Sequence, residues 1–196
     1  MTARARSAAF LDDHGLDGVR RDLERRWAEP HRRYHDLEHL DEMLGHVESL
    51  GAAGDLVCHL ATWFHDAILE PARSDNEERS AVLATDVLIA EGRPAPEVDE
   101  IASIVRATRT HEATATGRTA VVLDADMAIL AAEPERYRRY LADVRLEYGH
   151  FDDATFTAGR RAFVEELLGR PRLFATPHGV ELWEAAARRN LNSELD

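Results

Sequence analysis

The sequence predicts an all-α fold, a helical bundle of one domain spanning residues 1–196, and three observations carry that expectation. Apolar residues recur with helical spacing in almost every segment. No run alternates apolar and polar residues as a half-buried strand does. Pro, Gly and capping residues divide the chain into pieces of helix length, with no internal repeat, linker or low-complexity stretch between them.

A first helix is expected over about Ala8 to Trp27, closed by Pro30. A second covers about Tyr34 to Leu50, with Leu40, Met43, Leu44, Val47 and Leu50 as its apolar stripe and Gly51 and Gly54 ending it. A third, Asp55 to Leu69, carries Leu56, Leu60, Phe64 and Ile68 and stops before Pro71. Ser74-Asp75-Asn76-Glu77 reads as a capping box, Ser and Glu satisfying free amides reciprocally. The fourth helix runs from there to Glu91, where Gly92-Arg93-Pro94 terminates it. Pro96 suits the first turn of a fifth, whose stripe is Val98, Ile101, Ile104, Val105 and Thr108. After a loop at 114–117, a sixth helix spans Thr119 to Ala131. Pro134 opens a seventh, ending near Gly149, whose stripe of Tyr137, Tyr140, Leu141 and Val144 reads as core. Asp152 or Asp153 caps an eighth that reaches Leu168, and Thr176-Pro177, a cap followed by a first-turn proline, starts the last.

The 196 residues, 44% of them apolar, suffice for a substantial core. A net charge of −13 argues against broad electrostatic binding to nucleic acid or an anionic membrane. It leaves room for a small phosphate-bearing ligand, because a metal and a few arginines reverse the field locally. All 24 basic residues are Arg, so arginine frequency alone is uninformative. Cys58 is the only cysteine, which excludes an intrachain disulfide and suits a reducing cytosol. The opening MTARARSAAF lacks the apolar segment of a signal peptide, and no stretch approaches the roughly 18–20 apolar residues that span a bilayer. A cytoplasmic protein is expected, its oligomeric state open, a homo-oligomer included.

His65-Asp66 stands inside the apolar run Ala61 to Leu69. An imidazole and a carboxylate are costly there unless something uses both. Both are ligands for a divalent metal, and on a helix they lie about 100° apart, near enough to reach one ion. The alternative is a core histidine beside a capping acid. The pair has company: Tyr34-His35-Asp36-Leu37-Glu38-His39 upstream, and Leu123-Asp124-Ala125-Asp126-Met127 downstream.

The order His39, His65-Asp66, Asp126 along a mostly helical chain resembles the HD-domain superfamily of metal-dependent phosphohydrolases. The match covers Tyr34 to Ile129. The first segment also resembles the His-Asn-x-x-His stretch of cyclic-nucleotide phosphodiesterases, a branch in which the second histidine binds metal and the first donates a proton. Asp36 stands where that pattern has Asn, a departure from the cyclic-nucleotide branch. The resemblance implies a bundle of the HD/phosphodiesterase type, a metal held by His39, His65, Asp66 and Asp126, and phosphohydrolase activity without a settled substrate.

His35 and His39 are four residues apart, so on one helix they would share a face. Both could bind one ion, or one could bind while the other points at the substrate. Met43 and Leu44 mark the buried side, which favours His39 as ligand and makes His35 the candidate general acid. Mixed N/O ligands suit Mn, Co, Ni, Fe, Mg or Zn, whereas a single cysteine excludes an all-thiolate zinc site. Asp124 and Asp126 diverge by about 200° on a helix, so only one should face the ion. Asp126 shares the bulkier apolar stripe and is expected to do so, with Asp124 behind it or in solvent.

Other candidates lie around this set. His111 and Arg109 could line the site or contact phosphate, or simply complement a helix C-terminus. Glu70, Asn76 and Glu77 could support the metal ligands, and Arg145, Tyr148, Arg160 and Arg161 could meet a substrate phosphate or form a solvated face. The expected function is hydrolysis of a small phosphate ester or anhydride, a nucleotide by analogy of fold, with a divalent metal ion as cofactor. The rivals are an HD-type di-iron oxygenase, which would draw on His111 and His35 as further ligands, and a non-catalytic nucleotide-binding module.

Overall fold

In the computed structural model, which describes residues 1–195, ten α-helices and no strand occur among the described residues. They are α1 (Ala3–Asp13), α2 (Asp17–Trp27), α3 (Leu37–Val47), α4 (Leu56–Phe64), α5 (Asn76–Ala90), α6 (Ala95–Ala107), α7 (Gly117–Met127), α8 (Pro134–Glu147), α9 (Asp153–Gly169) and α10 (Pro177–Ser193). Among the described residues no helix is long and apolar enough to cross a membrane.

The expected first helix is two. Gly15 adopts φ +74°, the left-handed conformation that glycine takes at low cost, and a Schellman motif closes α1 there. The amide of Leu16 donates to Leu11 C=O and that of Gly15 to Asp12 C=O, both at 3.0 Å, while Leu11 and Leu16 are buried. The second helix begins at Leu37 instead of Tyr34, because the Asp36 carboxylate accepts the amides of Glu38 (2.8 Å) and His39 (3.3 Å) as its N-cap. The third ends at Phe64, so His65 sits at its C-cap and Asp66 beyond it. The capping box at Ser74 does not form. Arg73 takes the Asp75 carboxylate with two bonds of 2.6 Å, and α5 starts at Asn76 without a side-chain cap. The caps at Asp55, Asp152 and Thr176 each accept an amide of the helix that follows.

Two apolar cores result. The larger packs α1 to α7 around Trp27, Leu40, Leu60, Trp63, Phe64, Ile101 and Val122. The smaller joins Tyr34 and Met127 to α8, α9 and α10 through Tyr137, Tyr140, Val164, Phe174 and Leu191. Helix α7 belongs to both, with Val122 and Ala125 in one and Met127 in the other. Asp124, expected behind the metal ligand or in solvent, is buried at this junction and serves the second core. Its carboxylate accepts the amides of Ala175 (2.7 Å) and Thr176 (2.8 Å) and the Thr176 hydroxyl (2.6 Å), pinning the N-terminus of α10 to α7.

Candidate metal centre

Three segments bring the ligating groups together: the first turn of α3, the end of α4 and the end of α7. Because α4 stops at Phe64, the Thr62 carbonyl lacks an intrahelical donor, and the His65 Nδ1–H supplies one at 2.8 Å. That leaves Nε2 of His65 to point inward. Nε2 of His65 and Nε2 of His39 are both buried without any hydrogen-bond partner. Asp126 Oδ1 lies 3.2 Å from the His39 nitrogen and 3.8 Å from that of His65.

The donor atoms of His39, His65 and Asp126 all lie within 4.8 Å of one another, so the group can hold a metal ion. Two orphaned imidazole nitrogens facing a buried carboxylate fit a divalent cation, since leaving such atoms unpaired is otherwise costly. Burial would push the Asp126 carboxyl up, but His65, His111 and His39 outweigh it and hold it well below the usual range. Burial would likewise push His65 down; Asp66 and Asp126 prevail and lift it to about 9.

Asp66 stands beside this triad. Its Oδ2 is 3.3 Å from His65 Nε2 and 3.8 Å from His35 Nε2. His35 itself occupies the turn before α3, so it does not share a helix face with His39. It is placed instead by Glu147, the C-terminal residue of α8. One Glu147 oxygen accepts the amides of Arg33 (2.9 Å), Tyr34 (3.2 Å) and His35 (3.2 Å), and the other accepts the His35 Nδ1–H. Burial raises the Glu147 carboxyl, yet His35 and these amides bring it down to about 2. His35, depressed by burial and lifted by Asp66 and Glu147, ends at about 8.

The remaining sequence candidates separate. His111 donates from Nε2 to Asp126 Oδ2 at 2.8 Å, so it orients this carboxylate and is no mere end-of-helix charge. Asn76 is not a cap: its Oδ1 accepts the Glu70 amide (3.1 Å) and its Nδ2 donates to the Glu70 carbonyl (3.0 Å), fixing the loop after Asp66. The Glu70 carboxylate turns away to Arg79 (2.6 Å). Arg145 is engaged with Asp153 and the carbonyls of Tyr148 and Phe151, so it holds a turn instead of meeting substrate. Arg161 pairs with Glu165. The residue at position 36 acts as an N-cap, a task Asn performs equally well, so its identity carries no information about substrate.

Sequence reasoning missed Glu147 and Arg32. The Arg32 side chain is fully buried, lies over Trp27, and donates to the carbonyls of His35 (3.0 Å) and Ala67 (3.4 Å), tying the turn of His35 to the turn that follows Asp66. Nothing local signals either residue; each acts on partners brought close only by the fold.

A cavity of about 520 Å3 adjoins the centre. His35 and His111 line it, together with Tyr34, Glu77, Thr108 and Arg109, and residues of α8, α9 and the turn between them complete it. Another concavity, about 470 Å3 near Gly51 and Asp55, is remote from the ligand group, and Arg118 occupies its Asp55 carboxylate. Set against protein families, curated proteins and solved structures, the chain matches none.

Proposed function

We propose that the protein is a metal-dependent phosphohydrolase acting on a small phosphate ester or anhydride, nucleotides being the first substrates to test. The observation that carries this reading is the pair of orphaned nitrogens, His39 Nε2 and His65 Nε2, facing Asp126 beside a cavity into which His35 projects. His39, His65 and Asp126 would hold the ion, with Asp66 as a fourth ligand. A divalent ion bound there supplies a Lewis acid that lowers the pKa of water and polarises a phosphoryl oxygen.

The chain's own groups do the rest. His35, kept protonated by Asp66 and Glu147, gives its Nε2 proton to the leaving oxygen as the bond from phosphorus to that oxygen breaks. The proton lost by the attacking water restores the imidazolium over the cycle. Glu147 fixes the ring so that Nε2 stays turned toward Asp66. His111 holds Asp126 by its second oxygen, leaving Oδ1 toward the two histidines.

The test is metal content by mass spectrometry followed by a panel of nucleotides and phosphate esters. Loss of hydrolysis on chelation, and loss of both metal and hydrolysis in Asp126→Ala and His39→Ala, are expected. A metal-loaded protein that cleaves no phosphate ester, or one fully active after chelation, overturns the reading. One observation favours a second reading, an iron oxygenase: His111 beside Asp126 and His35 beside Asp66 offer two further imidazoles. Two irons per chain with a redox-active optical band would support it, and a redox-inert ion excludes it.

A further inference from the structure

The cavity has a side that the hydrolytic centre does not explain. Helix α9 lends it Phe156, Gly159, Arg160 and Phe163, positions i, i+3, i+4 and i+7 that form one helical face. Gly159 is out of place there. It lies inside a helix of 17 residues, where glycine is the poorest choice after proline. A Cβ built on it meets nothing within 4 Å, so no packing within the chain demands the missing side chain. Gly159 is exposed, and the open space over it borders the cavity that it lines.

The rings around that gap are held in place. Arg160 lies over both Tyr140 and Phe163, 5.1 Å from each ring centre, and is fixed by Glu194 and the Tyr140 hydroxyl. Arg145 lies 4.9 Å over Phe156. Aromatic rings each covered on one face by an arginine leave their other faces and edges to an open slot, which suits a flat ring system that stacks there better than a flexible chain, which loses rotamer freedom on entry.

Two polar groups of cavity-lining residues lack partners among the described residues. The Tyr34 hydroxyl is buried and makes no hydrogen bond, although its ring packs on both His35 and His39. Arg109 is exposed and enters no salt bridge among the described residues. A phosphoryl group next to the metal ligands would accept from the first and pair with the second.

We propose that this cavity selects an aryl phosphate. In this arrangement a flat aromatic group lies over Gly159 between the rings of α8 and α9, and the phosphoryl oxygens accept from Tyr34 and Arg109. The volume, about 520 Å3, is in the range of ordinary small-molecule sites and accommodates a fused two-ring system with its phosphate. The proposal rests on the phosphohydrolase reading for the phosphate, but not for the ring.

The experiment is calorimetric titration of the Mn2+-loaded protein with 1-naphthylmethylphosphonate, n-octylphosphonate, inorganic phosphate and 1-naphthylmethanol, none of which is hydrolysed. The naphthyl phosphonate should bind at least tenfold tighter than the octyl compound. Gly159→Leu, which fills the slot and improves helix propensity, should erase that advantage while leaving inorganic phosphate binding and the melting temperature undiminished. Tyr34→Phe should weaken every phosphonate and inorganic phosphate several-fold and leave 1-naphthylmethanol unchanged. Equal binding of octyl and naphthyl phosphonates, or an unchanged naphthyl preference in Gly159→Leu, overturns the proposal without touching the phosphohydrolase reading. Binding of 1-naphthylmethanol as tight as that of its phosphonate removes the phosphate reading instead, and upholds the aryl slot.

Discussion

Asp124→Ala tests how the second core is attached to the first. The substitution removes an ionised acceptor from two amides and one hydroxyl at 2.6–2.8 Å. Hydrogen bonds to charged groups contribute roughly 1.5–3 kcal/mol each, so the gross loss is on the order of 4.5–9 kcal/mol. Two effects reduce it. Burial holds the Asp124 carboxyl above its usual range, so part of the gain already offsets desolvation. Ala175 and Thr176 are half-buried, and water entering the gap satisfies part of what they lose. A net cost of about 2–4 kcal/mol remains, equivalent to a fall in Tm of roughly 5–15 °C for a chain of this length. Urea unfolding followed by circular dichroism measures it. A loss under about 1 kcal/mol would refute the view that this carboxylate anchors α10. A companion variant adds a sharper check, because a Cβ on Gly179 would collide with Asp124 Oδ2. Gly179→Ala should destabilise alone, and the double variant should cost less than the two single costs combined, since the collision partner is gone.

Three further outcomes follow from the site. In the metal-free chain His65 is lifted to about 9, so a proton competes with the ion for Nε2; metal affinity should rise with pH up to about 9 and then level, with proton release visible by calorimetry in two buffers, and a flat profile between pH 6 and 8 would contradict it. His35→Ala should keep its metal but lose roughly 10²–10⁴ in turnover, less on p-nitrophenyl esters whose leaving group needs no proton; loss of the metal would make His35 a ligand. Cys58, pushed up to about 12 by burial, should resist a thiol-disulfide reagent at pH 8 until the protein unfolds, and rapid labelling of native protein would show that it is not enclosed.

What was legible in the sequence was what is local. Apolar spacing located the helices, and the caps at Asp152 and Thr176 worked because capping needs only a neighbouring amide. The break at Gly15 was missed because a helical stripe continues across it, Leu11 and Leu16 both being buried on either side. The turn conformation of His35 escaped notice for a related reason: i, i+4 spacing is compatible with a helix but does not require one. Asp124 shows a different limit. Periodicity can say which face of a helix is less apolar, but α7 is buried on two sides by two cores, so its second face meets α10 where solvent was expected. Glu147 was invisible because its partners, residues 33–35, lie more than a hundred positions away in the chain.

The geometry of the centre is therefore set by long-range contacts more than by the motif residues themselves. Asp126 owes its orientation to His111, and His111 reaches it from a left-handed backbone conformation, φ +46°, that costs a non-glycine residue on the order of 1 kcal/mol. Such a conformation persists only where the surroundings over-determine it. Here Arg170, beyond α9, donates to the carbonyls of Thr110 (3.0 Å) and His111 (2.8 Å) and closes the turn. On the other flank Arg32 and Glu147 fix the turn that carries His35. Each flank thus depends on an arginine from outside the motif, and α7 joins them by carrying Asp126 toward the histidines and Asp124 toward α10. A constellation whose members are held by contacts outside the group is assembled without an ion, which lowers the cost of organising a buried carboxylate and two buried imidazoles around one.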